Sequence, residues 1–148
     1  MEQKKYDCLK LTNQLCFPLY ACARETVKLY TPYLDKLGLT YTQYITMMVL
    51  WEHKTMTAKE LGRLLYLDSG TLTPLLKKLE AKELLTRKRS EEDERNLIIT
   101  ITPQGEALKE EAVHIPHAMG KCVNLEEDEI RTIYHLLYKM LENAETSR

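Results

Sequence analysis

The sequence predicts a mainly α chain with one small β-hairpin: a winged helix-turn-helix flanked by N- and C-terminal helices that form a dimerisation region. Three observations predict it. Apolar residues recur mostly at helical spacing, with only five glycines and five prolines in 148 residues. Two short helical patterns meet at a tight joint around residues 66–70, and positive charge follows. Directly after them the period changes from helical to alternating.

The first long segment runs from about Leu11 to Leu34. One stripe reads Cys16, Tyr20, Ala23, Val27, Tyr30, Leu34, and a second reads Leu15, Leu19, Cys22, Leu29, Tyr33. Two adjacent stripes make a face wider than one small core needs, so the helix is expected to pack on its own core and on a second subunit. Pro18 cannot donate a backbone N–H, so this helix begins near Cys16 or is irregular there. Gly38 fits a helix stop between Asp35 and Leu39.

A second helix is expected over Tyr41–His53. Thr57-Ala58-Lys59-Glu60 is a capping box opening a short helix with Leu61, Leu64 and Leu65. A break at Tyr66–Gly70 offers Asp68 and Ser69 as N-caps. The next helix, residues 71–82, puts Leu72, Leu75, Leu76 and Leu79 on one face. Thr86–Arg89 reads as a strand and Ser90–Glu94 as a polar turn. Asn96–Thr102 alternates, is rich in β-branched residues and reads as the second strand. Thr102-Pro103 looks like N-cap and first residue of another helix, running towards Ile115, where Pro116 ends or kinks it. Asn124, with Glu127 three residues on, restarts a last helix carrying Ile130, Ile133, Tyr134, Leu137 and Leu141. The whole is expected to form one domain. Residues 1–37 and 117–148 supply dimerisation helices, and residues 38–116 supply the winged helix-turn-helix and a connecting helix.

Composition narrows the function. With 44% hydrophobic and 29% charged residues the chain is globular, and its size needs no disulfide or metal to fold. The N-terminal MEQKKYDCLK has no signal-peptide core, and the longest apolar run is Met47–Trp51. A soluble cytoplasmic protein is expected, with Cys8, Cys16, Cys22 and Cys122 as reduced thiols. The net charge is −1, yet residues 77–89 carry six cations against two carboxylates, a local +4 against −5 for the rest. Such a patch can steer DNA.

On the expected recognition helix, the face opposite the leucines holds Gly70, Thr73, Pro74, Lys77 and Ala81. Thr73 can bond a base edge or a phosphate, and Lys77 suits a phosphate, with Lys78 beside it. Ser69 and Thr71 lie near the helix N-terminus, where free N–H groups favour anions. Arg87 and Arg89 add cations on the first wing strand. At the wing tip Arg95 can enter the minor groove, with Asp93 holding its guanidinium in a bidentate pair. The alternative is a set of solvated charged faces. A lobe of this kind usually works as a dimer on a pseudo-palindrome, so double-stranded operator DNA and a second copy are the expected partners.

Cys16 lies on the wide face of the first helix, with Tyr20 and Tyr30 on the same stripe and Tyr41 after the turn. Nine tyrosines against one phenylalanine is a skewed ratio. Tyrosine hydroxyls donating to the sulfur would stabilise its thiolate, and so would a helix start at Cys16. The bland alternative is an inert buried thiol.

The segments "NQLCF", "LGLTYTQY", "LYLDSGTLTPLLKKLE" and "RKRSEEDERNL" together resemble the MarR family of winged-helix regulators, in particular its OhrR subgroup, over nearly the whole chain. The resemblance implies that Cys16 is a peroxide-sensing cysteine, bonded across the dimer by Tyr30 and Tyr41 with Tyr20 nearby. It implies a repressor that leaves its operator when an organic hydroperoxide oxidises Cys16 to sulfenic acid. The subgroup completes the switch with either a small external thiol or a second cysteine on the partner chain. Cys122 sits close to the place of that second cysteine, so both a Cys16–Cys122 intersubunit disulfide and a small thiol stay open. Cys22 is expected in the core, and Cys8 in a poorly constrained N-terminus.

Three rivals stand beside this reading. One is a repressor of the same type released by a small aromatic ligand, with Cys16 structural. Another is a thiol peroxidase, but no Cys-x-x-Cys pair or histidine neighbours Cys16. The last is a metal sensor built on His114, His117 and Cys122, which Pro116 interrupts. No cofactor or metal is expected, and no enzyme.

Overall fold

The computed structural model describes residues 2–147. After a four-residue helix α1 (Glu2–Lys5), two 3-10 turns span Asp7–Leu9 and Leu11–Asn13. Their ends are tied by side chains: Asn13 donates to the Asp7 carbonyl at 2.7 Å, and Gln14 donates to the Cys8 carbonyl. The N-terminus is therefore more ordered than its sequence suggests. The long helix α2 starts at Cys16, not Leu11, and runs to Leu37. Pro18 explains the start. It is the third helical residue, where an N–H has no intrahelical partner to lose. Gly38 stops the helix in the left-handed conformation at φ 64°, its N–H bonding the Asp35 carbonyl while Leu39 N–H reaches Leu34.

Helix α3 (Tyr41–His53) follows, opened by a reciprocal Thr40/Gln43 cap. A three-residue strand, β1 (Thr55–Thr57), comes next, which sequence periodicity does not register. Helix α4 (Ala58–Leu65) opens on the expected Thr57/Glu60 box, with Glu60 N–H donating to Thr57 Oγ1 at 3.1 Å and Thr57 N–H to Glu60 Oε2 at 2.9 Å. Helix α5 spans Ser69–Ala81. Asp68 is its N-cap and accepts from Thr71 N–H at 2.8 Å, so Ser69 and Gly70, expected in the joint, belong to the helix.

Strands β2 (Leu85–Arg89) and β3 (Leu97–Ile101) form the hairpin, and β1 adds to its other edge, giving the antiparallel order β1-β3-β2. Register pairs Leu85 with Ile101, Arg87 with Ile99 and Arg89 with Leu97. Helix α6 (Pro103–Ala112) starts at Pro103 behind the Thr102 cap as expected. It ends sooner than expected, at Ala112. Pro116 then falls in the first turn of a separate helix, α7 (Ile115–Val123), where its missing N–H costs nothing. The last helix, α8 (Glu127–Thr146), is capped by Glu126 with Glu129 and not by Asn124, which is left-handed at φ 49°.

The chain divides into two compact units, up to Ile115 and from Pro116. The core of the first unit gathers Leu34, Tyr44, Met47, Leu50, Leu61, Leu76, Leu79, Leu85 and Ile99, each no more than 2% exposed. Trp51 ties α3 to α6 by donating from Nε1 to the Gly105 carbonyl at 2.8 Å. The second unit leaves Ile130, Ile133, Tyr134, Leu136 and Tyr138 of α8 exposed.

Candidate nucleic-acid interface and thiol site

Helix α5 buries Leu72, Leu75, Leu76 and Leu79 against the core of its unit. That burial turns Ser69, Thr71, Thr73, Pro74, Lys77 and Lys78 outward, all of them exposed. Pro74 lies inside the helix and has no N–H to donate back to the Gly70 carbonyl. The outward face therefore combines hydroxyls near a helix N-terminus with two ammonium groups a turn further on. This distribution suits a polyanion.

The wing tip is built by its own hydrogen bonds. Ser90 N–H donates to the Asn96 carbonyl at 2.8 Å, Asp93 N–H to Ser90 Oγ at 3.3 Å, and Arg89 Nη1 to the Glu94 carbonyl at 3.2 Å. The fork between Asp93 and Arg95 forms: Arg95 Nε lies 3.0 Å from Oδ1 and Nη2 lies 3.1 Å from Oδ2. Hydrogen bonds from Arg95 hold the Asp93 carboxyl below its usual range. The Arg95 side chain remains 90% exposed, so the pair orients the guanidinium without hiding it. Arg87 differs from the other candidate cations. It is only partly exposed and engages Glu80 of α5.

Cys16 is the first residue of α2 and is exposed. Tyr30 and Tyr41 meet with ring centroids 5.0 Å apart and planes tilted by 56°, and Tyr44 joins them at 5.8 and 6.5 Å. Burial raises the pKa of all three phenols, so they stay protonated donors at neutral pH. Tyr44, which the sequence reading does not single out, sits one turn from Tyr41 on α3, and that spacing is the signal for it. Tyr20 stands apart and exposed, with Arg24 over its ring at 5.4 Å. Cys16 and Tyr30 share one helix at a separation of 14 residues, or about 21 Å of rise. The structure thus brings Tyr30 and Tyr41 together but leaves both far from the Cys16 of their own chain.

Cys122 is exposed on α7. Cys22 is exposed on α2, which corrects the expectation that it lies in the core: in this chain α2 buries only Leu34. Cys8 sits in the first 3-10 turn, its thiol 3.6 Å from the Lys5 carbonyl. Among the described residues no group of three histidines, cysteines or carboxylates gathers as a metal site, and no helix is long and apolar enough to cross a membrane.

A helix-turn-helix with an exposed hydroxyl and lysine face, followed by a wing with a presented arginine, defines a winged-helix DNA-binding transcriptional regulator. The chain belongs to the SarA/Rot family of transcriptional regulators, MarR-like winged-helix proteins, whose pattern matches residues 28–112. It is 51% identical over 140 residues to the organic hydroperoxide resistance transcriptional regulator of Bacillus subtilis, covering 95% of both chains. It is 45% identical over 127 residues to the HTH-type transcriptional regulator SarZ of Staphylococcus aureus, covering 86% of both. Among solved structures it resembles AbfR of Staphylococcus epidermidis. Reduced AbfR bound to DNA matches with a TM-score of 0.78 at 35% identity, covering 96% of this chain and 99% of that one. Disulfide-formed AbfR matches with a TM-score of 0.62 at 34% identity, covering 99% of each.

Proposed function

We propose that this regulator is a homodimeric repressor that leaves a pseudo-palindromic operator when an organic hydroperoxide oxidises Cys16. The observation that carries the reading is the separation within α2. An exposed thiol at the helix start and Tyr30 about 21 Å along the same helix, with Tyr41 of α3 against it, cannot meet in one chain. A second copy, packed on the exposed apolar flank of α2, can bring Tyr30 and Tyr41 to the first copy's Cys16. Phenol donors there would stabilise the thiolate. The named relatives support this chemistry: one is an organic hydroperoxide resistance regulator, and another has been solved both reduced on DNA and with a disulfide formed.

In the first step the Cys16 thiolate attacks the hydroperoxide. The O–O bond breaks, sulfenic acid forms, and the alkoxide leaves as alcohol after taking a proton. A thiol, from the partner chain's Cys122 or from a small molecule, then attacks that sulfur. Water leaves and a disulfide forms. The new bond changes the separation of the two α5 helices, so they no longer span half-sites about 34 Å apart. On the DNA, Ser69, Thr71, Thr73, Pro74, Lys77 and Lys78 would face the major groove, with Arg89 and the Asp93–Arg95 pair on the backbone and minor groove. A bacterial regulator of this kind acts in the cytoplasm.

The test is operator release after a stoichiometric dose of cumene hydroperoxide, read with non-reducing intact mass and peptide mapping. Wild type should release DNA and carry the oxidation on Cys16, and Cys16→Ser should stay bound. Release of Cys16→Ser by the peroxide at the wild-type dose would refute the scheme. A Cys16–Cys122 crosslink identifies the two-cysteine route, and a mixed disulfide with an added small thiol identifies the other.

A further inference from the structure

Arg87 gives all its described hydrogen bonds to one carboxylate. Its backbone N–H donates to Glu80 Oε1 at 3.1 Å, and its Nε and Nη2 donate to Oε2 at 3.0 and 2.9 Å. The Arg87 side chain is 20% exposed against 90% for Arg95, while the carboxylates Glu80 and Asp93 are alike at 38% and 37%, so the difference lies in the arginine. Glu80 lies near the end of α5, and Arg87 is the middle residue of β2, paired with the fully buried Ile99 of β3. The contact therefore joins the DNA-facing helix to the base of the wing by three donors of fixed direction.

Past Ile98, where pairing with β1 ends, the wing is a two-stranded ribbon that can swing as a lever about its base. Ser90 begins the tip three residues beyond Arg87, roughly 10 Å along the strand. A swing of about 10° at the base would displace the tip by roughly 2 Å, enough to break a hydrogen bond to DNA. With its side chain so much less exposed than that of Arg95, the Arg87 guanidinium is turned into the contact and not presented to a phosphate.

The geometry points to Glu80–Arg87 as a positioning clamp: it fixes the angle between α5 and the wing, so that Arg95 and the exposed face of α5 reach the operator in register, and Arg87 itself contacts no phosphate. The clamp rests on the DNA-binding mode proposed above. It assigns specificity to two residues that need not touch DNA.

The test uses the full-length reduced protein, a duplex selected from random-sequence DNA by wild type, and a scrambled duplex of equal length. Dissociation constants are measured over a series of KCl concentrations for wild type, Arg87→Ala, Arg87→Lys, Glu80→Gln and the double variant Glu80→Gln/Arg87→Ala. The clamp predicts that each single variant weakens the selected duplex by about tenfold. Scrambled-duplex affinity and the salt slope should stay as in wild type, and the double variant should be no worse than either single one. Lysine fails because it cannot reproduce the fork.

Three results would overturn the clamp: a slope reduced by about one in Arg87→Ala with lysine restoring it, which marks a phosphate contact; tighter binding by Glu80→Gln; or equal losses on both duplexes alongside a lowered unfolding midpoint. If wild type selects no sequence at all, the DNA-reading assignment fails before the clamp is reached.

Discussion

Gly105 is the residue on which three elements converge. Its N–H caps α6 by donating to Thr102 Oγ1 at 3.0 Å, and its carbonyl accepts the Trp51 indole N–H at 2.8 Å. Its Cα faces the Leu84 backbone so closely that an added Cβ would collide with the Leu84 carbonyl oxygen and come within 2.9 Å of Ile101 Cγ1. A backbone carbonyl held between α5 and β2 cannot step aside as a flexible side chain would. Gly105→Ala should therefore cost about 2–4 kcal/mol, read as a lowered urea midpoint with a shift in the single tryptophan's emission. The adjacent Thr102-Pro103 start is legible in the sequence because a cap is a local pattern. The need for glycine two residues later is not, because the clashing atom belongs to a residue 21 positions earlier.

At the scale of elements, the same contrast between local and distant causes decides what can be read. The Thr57/Glu60 box, the Gly38 stop, the bounds of α3 and the hairpin all follow from neighbours within one turn or strand. Strand β1 exists only because β3 offers it a partner, with Thr55 opposite Thr100 and Thr57 opposite Ile98, so three residues alone carry no trace of it. The break between α6 and α7 and the Glu126/Glu129 cap fall away from the places that Pro116 and Asn124 suggest, for a related reason. Proline and asparagine permit a helix boundary but do not choose between neighbouring ones. Replacing Thr57 by alanine should remove about 1 kcal/mol of stability, measurable by thermal melting.

The capping glutamate also gives a pH signature. Hydrogen bonds from Thr57 hold Glu60 below its ordinary pKa, as bonds from Arg87 hold Glu80 and the Lys54 ammonium holds Glu106. A depressed folded pKa stabilises above the unfolded value, and that stabilisation is lost as pH falls through the folded value. The unfolding midpoint should be flat above about pH 5 and fall as pH drops below about 4. A midpoint that rises on acidification would contradict these pairings.

For the whole molecule, each of the two units leaves apolar side chains exposed. Leu15, Phe17, Leu19, Val27 and Leu29 of the N-terminal region are exposed, and so are Ile130, Ile133 and Leu136 of α8. Apolar exposure on this scale marks an interaction surface, and the homodimer proposed above would cover it. The sequence carries the α2 part of it as a double stripe, of which only Leu34 is fully buried while Tyr30 and Tyr33 are half-buried. The distance from Cys16 to Tyr30 follows from the same stripe, whereas the contact of Tyr30 with Tyr41 and Tyr44 is legible only once α2 and α3 are packed.

That distance has a consequence for a mixed dimer. If each sensing site borrows its thiol from one chain and its phenols from the other, damage to the two parts is separable. A Cys16→Ser chain and a Tyr30→Phe chain, each impaired alone, would pair to leave one site doubly broken and the other wholly intact. That mixed dimer, isolated with a different affinity tag on each chain, should release the operator in peroxide, whereas either variant homodimer should stay bound.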